Sequence, residues 1–289
     1  MMLMHDKMRE IQLYAKKLAT IRFFGNSRSH VKGSGLEFDQ LQDYQIGDDV
    51  RAIDWNSSAR MNKLLIKNFY DEKQHTLIIA LDISNSLAYG SNRFLKQEVA
   101  ATVAALIAYA GQITKDQVGL ILFSDTVDLY IPPLKGRAHA QIIIEKIFSI
   151  PYKKAQTNIS ALLEFTASLR KKNAMLFILS DFIDVHFEQK LSLVSGAYDT
   201  IAIRVLDDYE HTFRVNALIT MRDMETDQEH IIDLRTKKKN AEFLQARIAA
   251  QNTLFLKHGV DLLSIHAKQE VVDQLVQFFK TRSLYSRRS

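Results

Sequence analysis

Asp82, Ser84 and Ser86 stand at alternate positions in the run Leu81-Asp82-Ile83-Ser84-Asn85-Ser86. In an extended turn, a spacing of two aims side chains the same way. One carboxylate and two hydroxyls would then share a direction. These are hard oxygen donors, suited to Mg²⁺ or Mn²⁺ rather than to zinc, which prefers nitrogen and sulfur. Runs of this kind also make ordinary Asx and Ser turns, so the reading needs partners elsewhere in the chain. Two later residues qualify: Thr157, in a polar loop before a helical segment, and Asp181, after an apolar run. The five side chains offer two carboxylates and three hydroxyls. Magnesium binds octahedrally and keeps several waters, which leaves a position open for an external carboxylate, such as a partner's Asp or Glu. The serines and Thr157 are expected to ligate directly, with one or both aspartates acting through water.

The elements that must position these side chains can be read from periodicity. Thr76 to Leu81 is a continuous apolar run ending in Asp82, as suits a strand buried on both faces. Ala174 to Leu179 is another, ending in Ser180-Asp181. In open α/β sheets, ligands bind beyond the carboxyl ends of strands near the topological switch point, and both aspartates are placed at such ends. Further strands are expected over Val118 to Phe123, Thr126 to Ile131, Thr200 to Leu206 and Val260 to Ile265. Pro132-Pro133 is expected to end the Thr126 strand. Helical spacing marks residues 6–24, Arg93 to Ile113, Ala138 to Phe148, Ile159 to Arg170, a segment around Leu191, Glu242 to Leu256 and Glu270 to Lys280. This alternation predicts a three-layer α/β fold, a doubly wound, mostly parallel sheet with one antiparallel edge strand. Alternating residues about Val215 to Met221 and Ile231 to Leu234 predict a β-hairpin insertion at about 207–237. The expected division is 1–75, a helix and an irregular segment, and 76–289, the sheet domain.

Composition narrows the function classes. The 289 residues are 47% hydrophobic and 25% charged, ordinary for a globular chain. With no cysteine, disulfides, cysteine-zinc sites and thiol catalysis are excluded. The net charge of +5 is spread over short clusters such as Arg170-Lys171-Lys172 and Lys237-Lys238-Lys239, which read as solvated helix ends rather than a nucleic-acid surface. No apolar run is long enough to cross a bilayer, and Met1 to Glu10 lacks the apolar core of a signal peptide. A cytoplasmic protein without transmembrane segments is expected; peripheral membrane association stays open. No Gly-rich phosphate loop, G-x-S-x-G elbow or H-E-x-x-H motif occurs, and the nine histidines are scattered.

The set Asp82, Ser84, Ser86, Thr157 and Asp181 resembles the metal-ion-dependent adhesion site (MIDAS) of von Willebrand factor A (vWA) domains. Upstream, Gly35-Leu36-Glu37-Phe38-Asp39, Tyr44-Gln45-Ile46-Gly47-Asp48-Asp49-Val50-Arg51, Ile53-Asp54-Trp55 and Ser58-Ala59-Arg60 resemble the signature of the DUF58 family of bacterial and archaeal proteins. The hairpin with Asp223, Glu225 and Thr226 is similar to that family's insertion after the sheet. Gln42 departs from the pattern, where the family often has Arg. The resemblance implies a vWA-like domain acting beside a MoxR-type AAA+ ATPase in chaperone-like maturation or assembly of a client protein. The charged signature residues Glu37, Asp39, Asp48, Asp49, Arg51, Asp54 and Arg60 have two readings. One is a buried hydrogen-bond network anchored by Trp55, and the other is a docking surface for the ATPase. The functional expectation is a non-catalytic, metal-dependent protein-interaction module. The alternative is Mg-dependent phosphoester hydrolysis at Asp82 and Asp181.

Overall fold

A computed structural model describes residues 4–19, 28–32, 37–72, 75–88, 90, 95–149, 153, 155–171, 174–184, 187–207, 218–222, 229–233, 237–266 and 271–285. The chain divides into two compact units, Met1–Phe23 with His75–Thr281, and Phe24–Gln74 with Arg282–Ser289.

The first unit is built on six strands: β4 (Thr76–Asp82), β5 (Gln117–Phe123), β6 (Val127–Leu134), β7 (Ala174–Ser180), β8 (Tyr198–Leu206) and β11 (Asp261–His266). They lie in the order β11-β8-β7-β4-β5-β6. All neighbours are parallel except β5 and β6. The sheet therefore starts in the middle, at β4, winds one way through β5 and β6, then reverses through β7, β8 and β11. The switch point lies between β4 and β7, whose strands end at Asp82 and Ser180.

Helices α3 (Lys96–Ile113), α4 (Arg137–Ser149), α5 (Ile159–Ser168) and α6 (Glu188–Ser195) connect these strands. Helix α1 (Met4–Ala19) packs on α3 and so belongs to the sheet unit. Helices α7 (Lys237–Lys257) and α8 (Val271–Tyr285) flank β11 in the chain. One face of the sheet buries Ile78, Ala80, Ile121, Phe123, Leu176, Ile178 and Ala202 against Ile159, Leu162 and Leu163 of α5, Leu191 and Val194 of α6, and Phe255 of α7. The alternate residues meet α3 on the other face. There the chain comes so close that a Cβ on Gly111 would lie 2.6 Å from Leu77 Cδ1. Both faces are covered, which is why β4, β5 and β7 read as unbroken apolar runs.

One boundary differs from expectation. Pro132-Pro133 does not end β6; the strand runs through both residues to Leu134. β6 is the outermost strand, where a missing N–H on the solvent side costs no ladder bond. The inner side does register the change: the pairing shifts between Val118 and Leu120. Gly119 lies at that shift, and a Cβ there would sit 2.9 Å from Pro133 Cγ and 3.0 Å from Ile131 O.

The expected hairpin is present in its described part as an antiparallel pair, β9 (Leu218–Arg222) with β10 (Glu229–Asp233). Residues 20–24 of the first expected helix, Arg93, and Asp223, Glu225 and Thr226 lie outside the described residues, as do Gly35 and Leu36.

The second unit is a three-stranded antiparallel sheet, β1 (Arg28–Lys32), β3 (Leu65–Glu72) and β2 (Glu37–Asp43), in the order β1-β3-β2. It also holds the short helix α2 (Trp55–Met61). Ala52, Ile53 and Ile66 form its small core, with Tyr44 packed against it. No helix among the described residues is long and apolar enough to cross a membrane.

Candidate metal centre at the sheet switch point

The five side chains selected from the sequence come together beyond the carboxyl ends of β4 and β7. Asp82 is the last residue of β4 and is completely buried. Its Oδ1 accepts from the Ser84 N–H at 2.8 Å, and its Oδ2 from the Ser180 hydroxyl at 2.6 Å. The first bond closes the turn that carries Ser84 and Ser86. Ile83 N–H, bound to Phe123 O at 2.8 Å, continues the sheet pairing one residue past β4 and fixes where that turn begins.

Thr157 is 73 residues away from Ser84 in sequence, and backbone bonds bring it in. Lys153 N–H donates to Ile83 O at 2.9 Å, and Asn85 N–H to Ala155 O at 3.2 Å. Asn158 N–H then donates to Ser124 O at 2.8 Å, while its side chain caps α5 by accepting from Ala161 N–H at 2.9 Å. The loop is tied to the β4 turn on one side and to α5 on the other, and Thr157 has little choice of position.

Asp181 follows β7 and is held by an unusual backbone. Phe182 has a positive φ of 53°, a conformation that costs an L-residue roughly 1–2 kcal/mol. Its N–H donates to Ser180 Oγ, and its carbonyl accepts from Gln251 Nε2 of α7 at 2.6 Å. Its ring packs edge-on to Phe255 at 5.2 Å. These contacts hold the strained turn and present Asp181 to the serines, with Ser86 Oγ donating to Asp181 Oδ1 at 3.3 Å.

The three hydroxyl oxygens form a triangle. Ser84 Oγ lies 3.0 Å from Ser86 Oγ and 2.7 Å from Thr157 Oγ1, and Ser86 Oγ lies 3.4 Å from Thr157 Oγ1. Six oxygens held octahedrally at about 2.1 Å from a magnesium ion have neighbours about 3.0 Å apart. The triangle thus has the size of one octahedral face, and in the same arrangement its edges serve as hydrogen bonds. All five residues are buried; Thr157, at 9%, is the most exposed of them. The donor set fits a hard divalent ion. Among the described residues no three His, Cys, Asp or Glu side chains converge as a metal cluster.

Electrostatics make the cluster unusual for a protein interior. Burial, and then the charge of Asp181, push the Asp82 carboxyl up to about 7, against the pull of its bonds from Ser180 and Ser84. A further residue, Lys96, enters the site from the first turn of α3. Its Nζ donates to Asp181 Oδ2 at 2.8 Å, and both side chains are almost wholly buried. Sequence reasoning missed Lys96 and the role of Ser180. A lysine at the head of an apolar helix reads as a solvated helix end, and no spacing rule links it to a strand end 85 residues on.

The signature residues lie in the other unit, where the expectation of a buried network anchored by Trp55 fails. Trp55 is 63% exposed. Asp49, Arg51 and Arg60 are exposed as well. The acids serve turns. Asp48 Oδ2 accepts from Gln45 N–H, and Asp49 Oδ1 from Arg51 N–H at the start of a 3₁₀ turn. Asp54 accepts from the Ser57 hydroxyl at 2.7 Å and faces Lys67 at 3.5 Å. Chiefly the Ser57 bond holds its carboxyl below the usual range. Glu37 pairs with Tyr70 in the β2–β3 register, and Asp39 falls at a register shift of that ladder; their side chains lie outside the described residues.

A family model described as "Protein of unknown function DUF58" matches residues 40–253. The chain belongs to this family. Uncharacterized proteins of Mycobacterium tuberculosis and Mycobacterium bovis are 22% identical over 280 residues, covering 95% of this chain and 88% of theirs. Among solved structures, a conserved hypothetical protein BatB from Bacteroides thetaiotaomicron is similar over 73% of this chain and 99% of its own, at 14% identity and a TM-score of 0.49. The SpRpn10 VWA domain is similar over 70% of this chain and 94% of its own, at 10% identity and a TM-score of 0.40.

Proposed function

We propose that this DUF58 chain is a non-catalytic, metal-dependent protein-interaction module. Asp82, Ser84, Ser86, Thr157 and Asp181 would hold Mg²⁺ or Mn²⁺. The observation that carries the reading is the triangle of hydroxyl oxygens, 2.7–3.4 Å on its edges, set between two carboxylates at the switch point of the sheet. When bound, the ion supplies a Lewis-acidic position for a carboxylate of a partner. The chain's own residues orient that position. Ser180 and the Ser84 N–H fix Asp82, and the Phe182 turn fixes Asp181. The partner implied by the family resemblance is a MoxR-type AAA+ ATPase, acting with this chain on a client protein. Phosphoester hydrolysis is the weaker reading, because Ser84, Ser86 and Thr157 occupy the positions where such a centre needs further carboxylates or a base.

Calorimetric titration of Mn²⁺ into wild type and Asp82→Ala tests the site: binding is expected in wild type and not in the variant. Equal binding in both, or none in wild type, sinks it. A pull-down with a MoxR-type AAA+ ATPase, with and without chelator, tests the partner. Capture is expected only with metal present. Turnover of a phosphoester panel dependent on Asp82 would favour hydrolysis instead.

A further inference from the structure

The metal reading gives no task to Lys96. A divalent ion needs oxygen donors, and an ammonium group has only protons to give. The position of Lys96 is also costly. A buried ammonium loses its hydration, and the first turn of α3 lies at the positive end of the helix dipole. Yet the side chain is 1% exposed, and Asp181 beside it 2%.

The geometry shows what Lys96 acts on. The Asp181 carboxylate is divided between two neighbours: Oδ1 accepts from Ser86, one of the three triangle hydroxyls, and Oδ2 accepts from Lys96 Nζ at 2.8 Å. The same carboxylate thus serves the metal position and an internal cation. The Asp181 carboxylate, buried close to that of Asp82, requires positive charge nearby, and Lys96 brings one unit of it on a side chain that cannot leave.

We infer that Lys96 is a tethered competitor of the divalent ion. With no metal bound it supplies the cation that keeps the Asp181 carboxylate buried. With metal offered it lowers affinity, because it engages Asp181 and cancels the negative charge which that carboxylate would present to the ion. This inference rests on the metal reading of the site and goes beyond it. It makes the centre reversible, folded in both states and loaded only when the ion is abundant or a partner carboxylate adds its own charge.

The test is Mn²⁺ titration, by calorimetry and by electron paramagnetic resonance of free Mn²⁺, into wild type, Lys96→Met and Lys96→Gln at one pH. Thermal melts of each protein in chelator and in Mn²⁺ accompany it. Removing one unit charge a few ångströms from the ion should tighten binding roughly tenfold or more. The variants should melt lower than wild type in chelator and recover in Mn²⁺, but not in NaCl of equal ionic strength. Unfolding of both variants in chelator with rescue by Mn²⁺ also supports the exchange of one cation for the other. Unfolding that Mn²⁺ does not rescue overturns it. Equal or weaker binding by the variants, with wild type still binding, overturns the role of Lys96 and leaves the metal reading standing. Binding by the variants alone supports the role of Lys96 and removes the metal dependence proposed for wild type. Binding by none of the three overturns both.

Discussion

Asp82 is wholly buried, a carboxylate with a second carboxylate close by, and its proton responds to both facts. In the unfolded chain an aspartate ionises near pH 3.9. In the folded chain, burial and then Asp181 raise Asp82 to about 7. Between those values the unfolded chain has released a proton that the folded chain still holds. Folding therefore takes up a proton, and the Asp82 contribution to stability falls as pH rises through that window. The penalty is absent below the unfolded value and complete above about pH 7. Asp82→Asn removes the titrating group. In chelator the variant should melt higher than wild type at pH 8 and close to it near pH 4; circular dichroism melts across that range check this, and a difference constant with pH contradicts it. The grouping of Asp82, Ser84, Ser86, Thr157 and Asp181 was legible from residue type, spacing and the placement of both aspartates at strand ends. Lys96, Ser180 and the left-handed Phe182 were not, because their roles arise only when the ends of β4, β7 and α3 meet. No local pattern distinguishes a strained phenylalanine from any other residue in a turn.

At the scale of elements, strands buried on both faces announced themselves as apolar runs, and the long helices as stripes three and four residues apart. Each was readable because burial imposes a period on the chain. The prolines of β6 misled because the rule that proline ends a strand holds for interior strands, and edge position is a property of the assembled sheet. Trp55 misled in a similar way: its size suggested an anchor, while the second unit closes its core with Ala52, Ile53 and Ile66. Ile66 is fully buried and Trp55 largely exposed. Ile66→Ala should therefore cost about 2–5 kcal/mol, whereas Trp55→Ser should stay within about 0.5 kcal/mol. Urea unfolding followed by near-ultraviolet dichroism and amide exchange of β3 separates the two; a large loss from Trp55→Ser would place that ring in a packed interface.

At the scale of the whole molecule, the charged signature residues Asp48, Asp49, Arg51, Asp54 and Arg60 belong to one unit and the hydroxyl cluster to the other. If the switch-point site takes Mn²⁺, loading should stabilise the sheet unit by mass action. At a free concentration about 100 times the dissociation constant the gain is about 2.7 kcal/mol, equivalent to roughly 5 °C or more in the melting temperature of a domain this size. Differential scanning calorimetry with and without Mn²⁺ measures it, and an unchanged melt at saturation contradicts it. The sheet has one more property at this scale. A sheet left open at its rim invites a foreign strand to add to it, and chains that pair in this way polymerise. Along β6, Pro132 and Pro133 follow one another, and neither has an N–H to offer. The β5–β6 pairing shifts register beside them. A strand added at this edge would meet a break in the row of donors along β6, so lateral pairing there is disfavoured.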